Sequence, residues 1–265
     1  MNHLRSARLN LSVVLPCYNP KPGWHLELGN RYLELKAALP ENTLVEIIVV
    51  NDGSTTPFSA ASKRYLSRRC PFFRLISYNS NMGKGFAVRK GVTAARGSHI
   101  IYTDIDFPYT VADICNVYRR LLNGNTEVVM GIREASYNQQ LSLLRRTASN
   151  ACNYLNKVVL KLPYKDVQSG LKGINAVGRE LLLKTTINRF LFDTEFIWMA
   201  SSYSNIRVDA LPVTLRDDVA FTSMSSAVYM KEAGNFCRIL VKDTLLFLRR
   251  FDAEFKTAIP HTAQL

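Results

Sequence analysis

Short apolar runs that alternate with helix-length segments are the feature that most constrains how this chain folds. Leu11–Leu15 (LSVVL), Val45–Val50 (VEIIVV), Phe73–Ser77, His99–Thr103 and Glu127–Gly131 read as strands. His25–Leu39, Ser59–Arg68, a segment opened by Asn81-Met-Gly-Lys-Gly85 and running to Ala95, and Val111–Leu122 read as helices. Strands that are continuously apolar are buried on both faces, and helical crossovers make such strands parallel. The expectation is an α/β protein with a Rossmann-like, mainly parallel sheet flanked by helices. In that doubly wound class, ligands bind at the carboxyl ends of the strands. Pro16 is expected to stop the first strand, and Pro212 to mark an edge in a later one, Ile206–Leu215.

Polar residues gather at those carboxyl ends. Pro16, Tyr18 and Asn19 follow the first strand, and Asn51, Asp52 and Ser54 the second. Gly83, Lys84 and Gly85 follow the third, Asp104 and Asp106 the fourth, and Arg133 the fifth. Taken singly these are turns, helix caps, a surface lysine and a solvated acidic loop. Together at one sheet edge they suit a nucleotide: a carboxylate for base or ribose, a helix N-terminus and a lysine for phosphate, and a metal pair for diphosphate. If the extended geometry persists past the fourth strand, Asp104 and Asp106 point to the same side. Two such carboxylates repel and raise each other's pKa. A hard divalent cation relieves the repulsion and can bind diphosphate oxygens on its open face. Neither a G-x-G-x-x-G fingerprint after the first strand nor a Walker A pattern is present.

Composition narrows the partners. The formal net charge is +13, which favours polyanions: nucleic acid, anionic lipid or phosphorylated substrates. Aromatics interleaved with basic residues on a sheet face are lacking, so nucleic acid is not expected as a partner. No run of 18 apolar residues is found, and basic Met1–Arg8 is not followed by a cleavable signal. The five cysteines are scattered, odd in number and without a C-x-x-C pair, which fits a reducing cytosol rather than a zinc site or a disulfide framework.

LSVVLPCYN, VEIIVVNDGSTT, NMGKGFAVRKG and YTDID, in this order, resemble the inverting family 2 glycosyltransferases with the GT-A fold, over roughly residues 10–220. The resemblance implies a nucleotide-sugar donor carrying UDP or GDP, and Mg²⁺ or Mn²⁺ as cofactor. It places Pro16, Tyr18, Asn19, Asp52, Ser54, Gly83, Lys84 and Asp104 at the nucleotide and Asp104 and Asp106 at the metal. Family members often carry Glu after the Tyr-Asn of the first loop, where this chain has Pro20.

The second half points to a subgroup. Leu141–Leu160 reads as a long helix bearing Arg145 and Arg146, and Asp193-Thr-Glu195 leads into a helix ending near Ser202. Lys165-Asp-Val-Gln-Ser-Gly-Leu-Lys172 and Phe192-Asp-Thr-Glu195 resemble the dolichyl- and polyprenyl-phosphate glucose and mannose synthases. That resemblance assigns Arg133, Arg145, Gln168 and Lys172 to acceptor or phosphate contacts, and Asp193 and Glu195 to the catalytic carboxylate. Asp193 also reads as a helix N-cap, and the arginines as a solvated helix face. A hydroxyl acceptor needs a general base, whereas a phosphate acceptor is already an anion. The resemblance, with the excess of cations, implies a polyprenyl phosphate as the acceptor, with a saccharide hydroxyl as the alternative. A non-catalytic anion-binding module and a nucleotidyltransferase are the rival readings. Tyr229–Phe251 is amphipathic and basic, either packed on the domain or lying in a membrane interface on the cytoplasmic face. The expected division is a glycosyltransferase domain over 1–225, a helical C-terminal region over 226–257, and a disordered tail over 258–265.

Overall fold

The computed structural model of the chain describes residues 9–56, 58–133, 143–216 and 226–258. The basic stretch Met1–Arg8 and the tail after Ala258 lie outside the described residues. Seven strands form one sheet in the order β3-β2-β1-β4-β6-β5-β7. They are β1 Leu11–Cys17, β2 Val45–Asp52, β3 Phe72–Tyr78, β4 His99–Tyr102, β5 Val128–Arg133, β6 Lys172–Ile174 and β7 Val208–Val213. All pairings are parallel except those of β6, which runs antiparallel between β4 and β5. The helices are α1 Trp24–Ala38, α2 Ala60–Arg69, α3 Lys84–Ala94, α4 Val111–Leu122, α5 Leu143–Val158, α6 Ala176–Leu183, α7 Phe192–Ser202 and α8 Ser226–Ala258.

Alternation along the central strands builds two cores, because successive side chains leave a strand on opposite faces. Val14, Ile48 and Val50 pack with α3, α6, α7 and α8 on one face. Leu11, Val13, Leu15, Ile47 and Val49 pack with α1, α2 and α4 on the other. Gly91 lets α3 lie hard against the sheet, since a Cβ there would sit 2.3 Å from Val14 Cγ1.

Three expectations need correction. The first strand does not stop at Pro16 but continues to Cys17. Pairing of β1 with β4 ends at Val14, so beyond that point β1 has a partner on one side only and a missing N–H is tolerated. β6 and α6 were not anticipated; a three-residue strand is too short to carry a periodic pattern. The extended geometry does not persist past β4. Phe107 N donates to Asp104 O at 3.0 Å, and Phe107 itself adopts φ 46. Asp104 and Asp106 therefore sit in a turn. Pro212 lies in β7, the edge strand beside β5, as expected.

Candidate active site

The loops at the carboxyl ends are linked to one another in turn. Asn19, at φ 48, accepts from Thr55 N at 2.8 Å, while its own N–H donates to Ser54 Oγ at 2.9 Å. This joins the first loop to the second. Tyr18 stands half exposed beside them, and Pro16 is buried within β1. At the end of β2, buried Asp52 accepts from Met82 N at 2.7 Å and Gly83 N at 2.9 Å. Asp52 thus shapes the third loop from beneath. That loop leads straight into α3, whose first residue is Lys84. The Lys84 ammonium lies 2.5 Å from Asp104 Oδ1, which joins the third loop to the fourth. Burial alone would lower the Lys84 pKa, but Asp104 and, further off, Asp193 hold the ammonium and raise it.

Asp106 is the more exposed of the turn's two carboxylates. Desolvation by its surroundings, and then the charge of Asp104, push its pKa up. Burial and the nearby Asp106 also push the Cys17 thiol up to about 12, so that thiol stays protonated and is no nucleophile. Arg216 holds the turn from outside, donating to the carbonyls of Asp106 and Phe107 at 3.1 and 3.0 Å while pairing with Glu27 of α1 at 3.0 Å.

The second half supplies a buried charge cluster. Because β6 is antiparallel, its first residue, Lys172, pairs with Tyr102, the last residue of β4. The fully buried Lys172 Nζ lies 2.8 Å from Asp193 Oδ1 and 2.6 Å from Ser169 O. Tyr102 OH donates to the same Asp193 oxygen at 2.8 Å. Burial lowers the Lys172 pKa, and Asp193 opposes that shift. Two residues along α7, buried Glu195 accepts from Thr186 N at 2.9 Å and Ile187 N at 2.8 Å and pairs with Lys242 of α8.

Arg133 donates through its backbone N–H and Nε to Asp166, at 3.0 and 2.8 Å, so it braces the segment leading to β6. A Cβ on Gly170 would lie 2.7 Å from Asp104 Oδ2, which packs that segment against the fourth loop. Gly170 N is held by Tyr109 OH at 2.9 Å. Gln168 is half-buried in the same segment. Arg145 lies on α5 with its side chain outside the described set, next to half-buried Arg146.

Among the described residues, no group of three or more His, Cys, Asp or Glu could hold a metal ion unaided. Asp104 and Asp106 provide two carboxylates that repel each other. That donor set fits Mg²⁺ or Mn²⁺ completed by water and substrate phosphates, not an all-protein cage.

Residues 12–178 match the sequence profile described as glycosyl transferase family 2. The chain belongs to that family. A dolichyl-phosphate beta-glucosyltransferase of Trichomonas vaginalis is 30% identical over 246 residues, covering 87% of this chain and 73% of the relative. The Drosophila melanogaster dolichyl-phosphate beta-glucosyltransferase is 26% identical, covering 80% of this chain and 68% of the relative. Among solved structures, glucosyl-3-phosphoglycerate synthase from Mycobacterium tuberculosis, in complex with Mn²⁺, UDP-glucose and phosphoglyceric acid, superposes with a TM-score of 0.56. It is 17% identical, covers 88% of this chain and 77% of its own, and shows the fold to be GT-A.

The chain is a family 2 glycosyltransferase, and several contacts of the candidate site left no sequence signal. Tyr102 opens the YTDID stretch and Tyr109 follows it, but nothing in the sequence shows that their hydroxyls hold Asp193 and Gly170. Asp166, Arg216, Glu232 and Lys242 act across 33 or more positions in sequence, where no local pattern reaches.

Proposed function

We propose that this glycosyltransferase moves a sugar, with inversion, from a UDP- or GDP-linked donor to a polyprenyl phosphate at a membrane surface. The nucleoside diphosphate would lie along the carboxyl-end loops, with the sugar over the Asp104–Phe107 turn. An acceptor phosphate oxygen attacks the anomeric carbon from the face opposite the diphosphate. The bond from that carbon to the diphosphate oxygen breaks, and its electron pair leaves with the nucleoside diphosphate. Lys84 offsets the charge growing on the leaving group. A divalent ion held by Asp106 and Asp104, when bound, would neutralise the diphosphate.

The observation that carries a phosphate acceptor over a hydroxyl one is the state of Asp193 and Glu195. A hydroxyl needs a base with a free lone pair near it. Both candidate carboxylates are instead buried and neutralised, by Lys172 and by Lys242. We assign Asp193 to holding Lys172 and Tyr102 beside the donor loop, and Glu195 to support. Arg133 keeps the Asp166–Lys172 segment in place, and Gln168 and Arg145 remain for the acceptor phosphate. The glucosyltransferase relatives named for dolichyl phosphate support the same acceptor class.

Membrane contact is proposed through α5 and the turn after it. Tyr154, Leu155, Val158 and Val159 are exposed there, with Lys157 and Lys161 exposed among them. Apolar side chains flanked by lysines suit an anionic lipid surface on the cytoplasmic face. No helix among the described residues is long and apolar enough to cross a membrane. α8 lies on the domain through Phe236 and Ile239, one of the two readings its pattern allowed.

The test is transfer of labelled sugar from UDP- and GDP-sugars to undecaprenyl or dolichyl phosphate in detergent. A lipid-linked product is expected, with transfer falling as salt screens phosphate contacts over a Debye length of about 8 Å at physiological ionic strength. Glycosylation of a saccharide hydroxyl alone would remove the lipid acceptor and leave the transferase.

A further inference from the structure

A strap that the proposed reaction does not use, Thr186–Leu191, lies between α8 and the Gly83–Lys84 loop. On the loop side, Asn188 O accepts from Phe86 N at 3.2 Å, and Ile187 O accepts from Arg89 Nη1 at 2.8 Å. The fit is close: a Cβ on Gly83 would sit 2.4 Å from Asn188 O, and one on Gly85 would sit 2.6 Å from Ile187 O. Gly83 also holds φ 101, so a side chain there would be strained as well as crowded.

On the other side, two carboxylates take the strap's N–H groups. Glu195 of α7 accepts from Thr186 and Ile187. Glu232 of α8 accepts from Leu191 N at 3.0 Å and Phe190 N at 3.4 Å. Leu191 is the N-cap of α7 and its side chain makes no capping bond. A helix start leaves N–H groups that need an acceptor. Glu232 supplies one from another helix, 41 positions away in sequence. Lys242 then closes on Glu195 and donates to Thr186 Oγ1 at 2.7 Å. Positions 232 and 242 stand about 15 Å apart along α8, with buried Phe236 and Ile239 between them. The helix grips the strap at two separate points.

We infer that Glu232 and Lys242 are positioning residues for the donor-phosphate loop, acting through the Thr186–Leu191 strap. This rests on the reading of Gly83–Lys84 as the donor loop. Without either grip, the strap's carbonyls no longer fix the first turn of α3, and the donor binds a loop that it must first order. Acceptor binding is left as it was.

The experiment is calorimetry with UDP and GDP in Mn²⁺, together with donor and acceptor KM and kcat. Glu232→Ala and Lys242→Ala are expected to weaken nucleotide binding about three- to tenfold, a part of the worth of one charge-assisted hydrogen bond, since the effect reaches the loop only through the strap. Donor KM should rise in step and acceptor KM should not. Glu232→Gln keeps an acceptor oxygen and Lys242→Arg keeps the cation, so each should recover most of the affinity. Asp243→Ala is the control. It removes the 2.7 Å bond from Trp198 Nε1, which ties α8 to α7 away from the strap. It should lower Tm without changing nucleotide affinity. If Glu232→Ala and Lys242→Ala behave like Asp243→Ala, the inference is wrong. Should Lys242→Ala not fold, Lys242→Met with Glu195→Gln removes both charges and takes the same measurement. Lys84→Ala separates the two failures. Unchanged affinity there overturns the donor-loop reading and the inference with it. Weakened affinity there, with the α8 variants unchanged, overturns the inference alone.

Discussion

Asp104-Ile-Asp106 and Asp193-Thr-Glu195 are the same motif in outline, two carboxylates spaced i, i+2, and the fold gives them opposite roles. The first pair lies in a turn after a strand, where the Asp104 side chain is 40% exposed. The second lies in the first turn of α7, where the two side chains are 4% and 0% exposed. On a helix, two positions amount to a rotation of about 200°. Asp193 accordingly meets Lys172 of β6 while Glu195 meets Lys242 of α8. In the turn the carboxylates feel each other, and Asp106 is raised partly for that reason. Lys84 offsets one charge of the exposed pair and leaves Asp106 negative charge for a cation, whereas each carboxylate of the buried pair has a lysine of its own. Spacing gives the chemistry a motif could perform, and surroundings decide whether it is free to perform it.

That contrast can be tested at three points. The largest effect is expected from Lys172→Ala, which strands the Asp193 charge in the core and should cost about 3–5 kcal/mol of stability by urea denaturation. Adding Asp193→Asn should recover part of it. A loss near that of an exposed pair, about 1 kcal/mol or less, would mean that the buried cluster is open to water after all. Next, Asp106→Asn should leave the urea midpoint unchanged and cut turnover by about 100- to 1,000-fold. If stability falls with activity, Asp106 belongs with the buried pair. The smallest effect is a change in metal response with pH. The folded Asp106 pKa is raised, so its carboxylate takes up a proton at a higher pH than an ordinary Asp does. A proton and a cation compete for it. The rise in Tm given by Mn²⁺ should therefore be full at neutral pH and should shrink, on acidification, before ordinary carboxylates titrate. A rise that does not change across that range would take the metal away from this pair.

The parallel half of the molecule was legible because continuous apolar runs leave few alternatives, and Tyr18, Asp52, Lys84 and Asp104 do lie at the carboxyl ends of the strands that those runs form. What could not be read was direction and depth. Lys172 was expected to contact the acceptor phosphate, yet it opens a three-residue antiparallel strand and is fully buried against Asp193. Asp52 was legible as the end of the second strand, but its bonds to Met82 and Gly83 depend on how the second and third loops meet. The bond from Leu191 to Glu232 and the pairing of Arg133 with Asp166 join distant segments, so no periodicity or local motif records them.

The close seating of α3 at Gly91 has a consequence for movement. On the proposed function a donor enters and a nucleoside diphosphate leaves in every cycle, and such openings typically take microseconds to milliseconds. With Val14 Cγ1 only 2.3 Å from where a Cβ would be, α3 has no room to shear across β1 without first lifting from the sheet. Lifting would open a void along the core, and close-packed interiors resist that. The middle of the helix that begins at Lys84 is therefore held in place against the sheet. The segments set against its first turn, the 186–191 strap and the 104–107 turn, are where release of product is expected to be felt first.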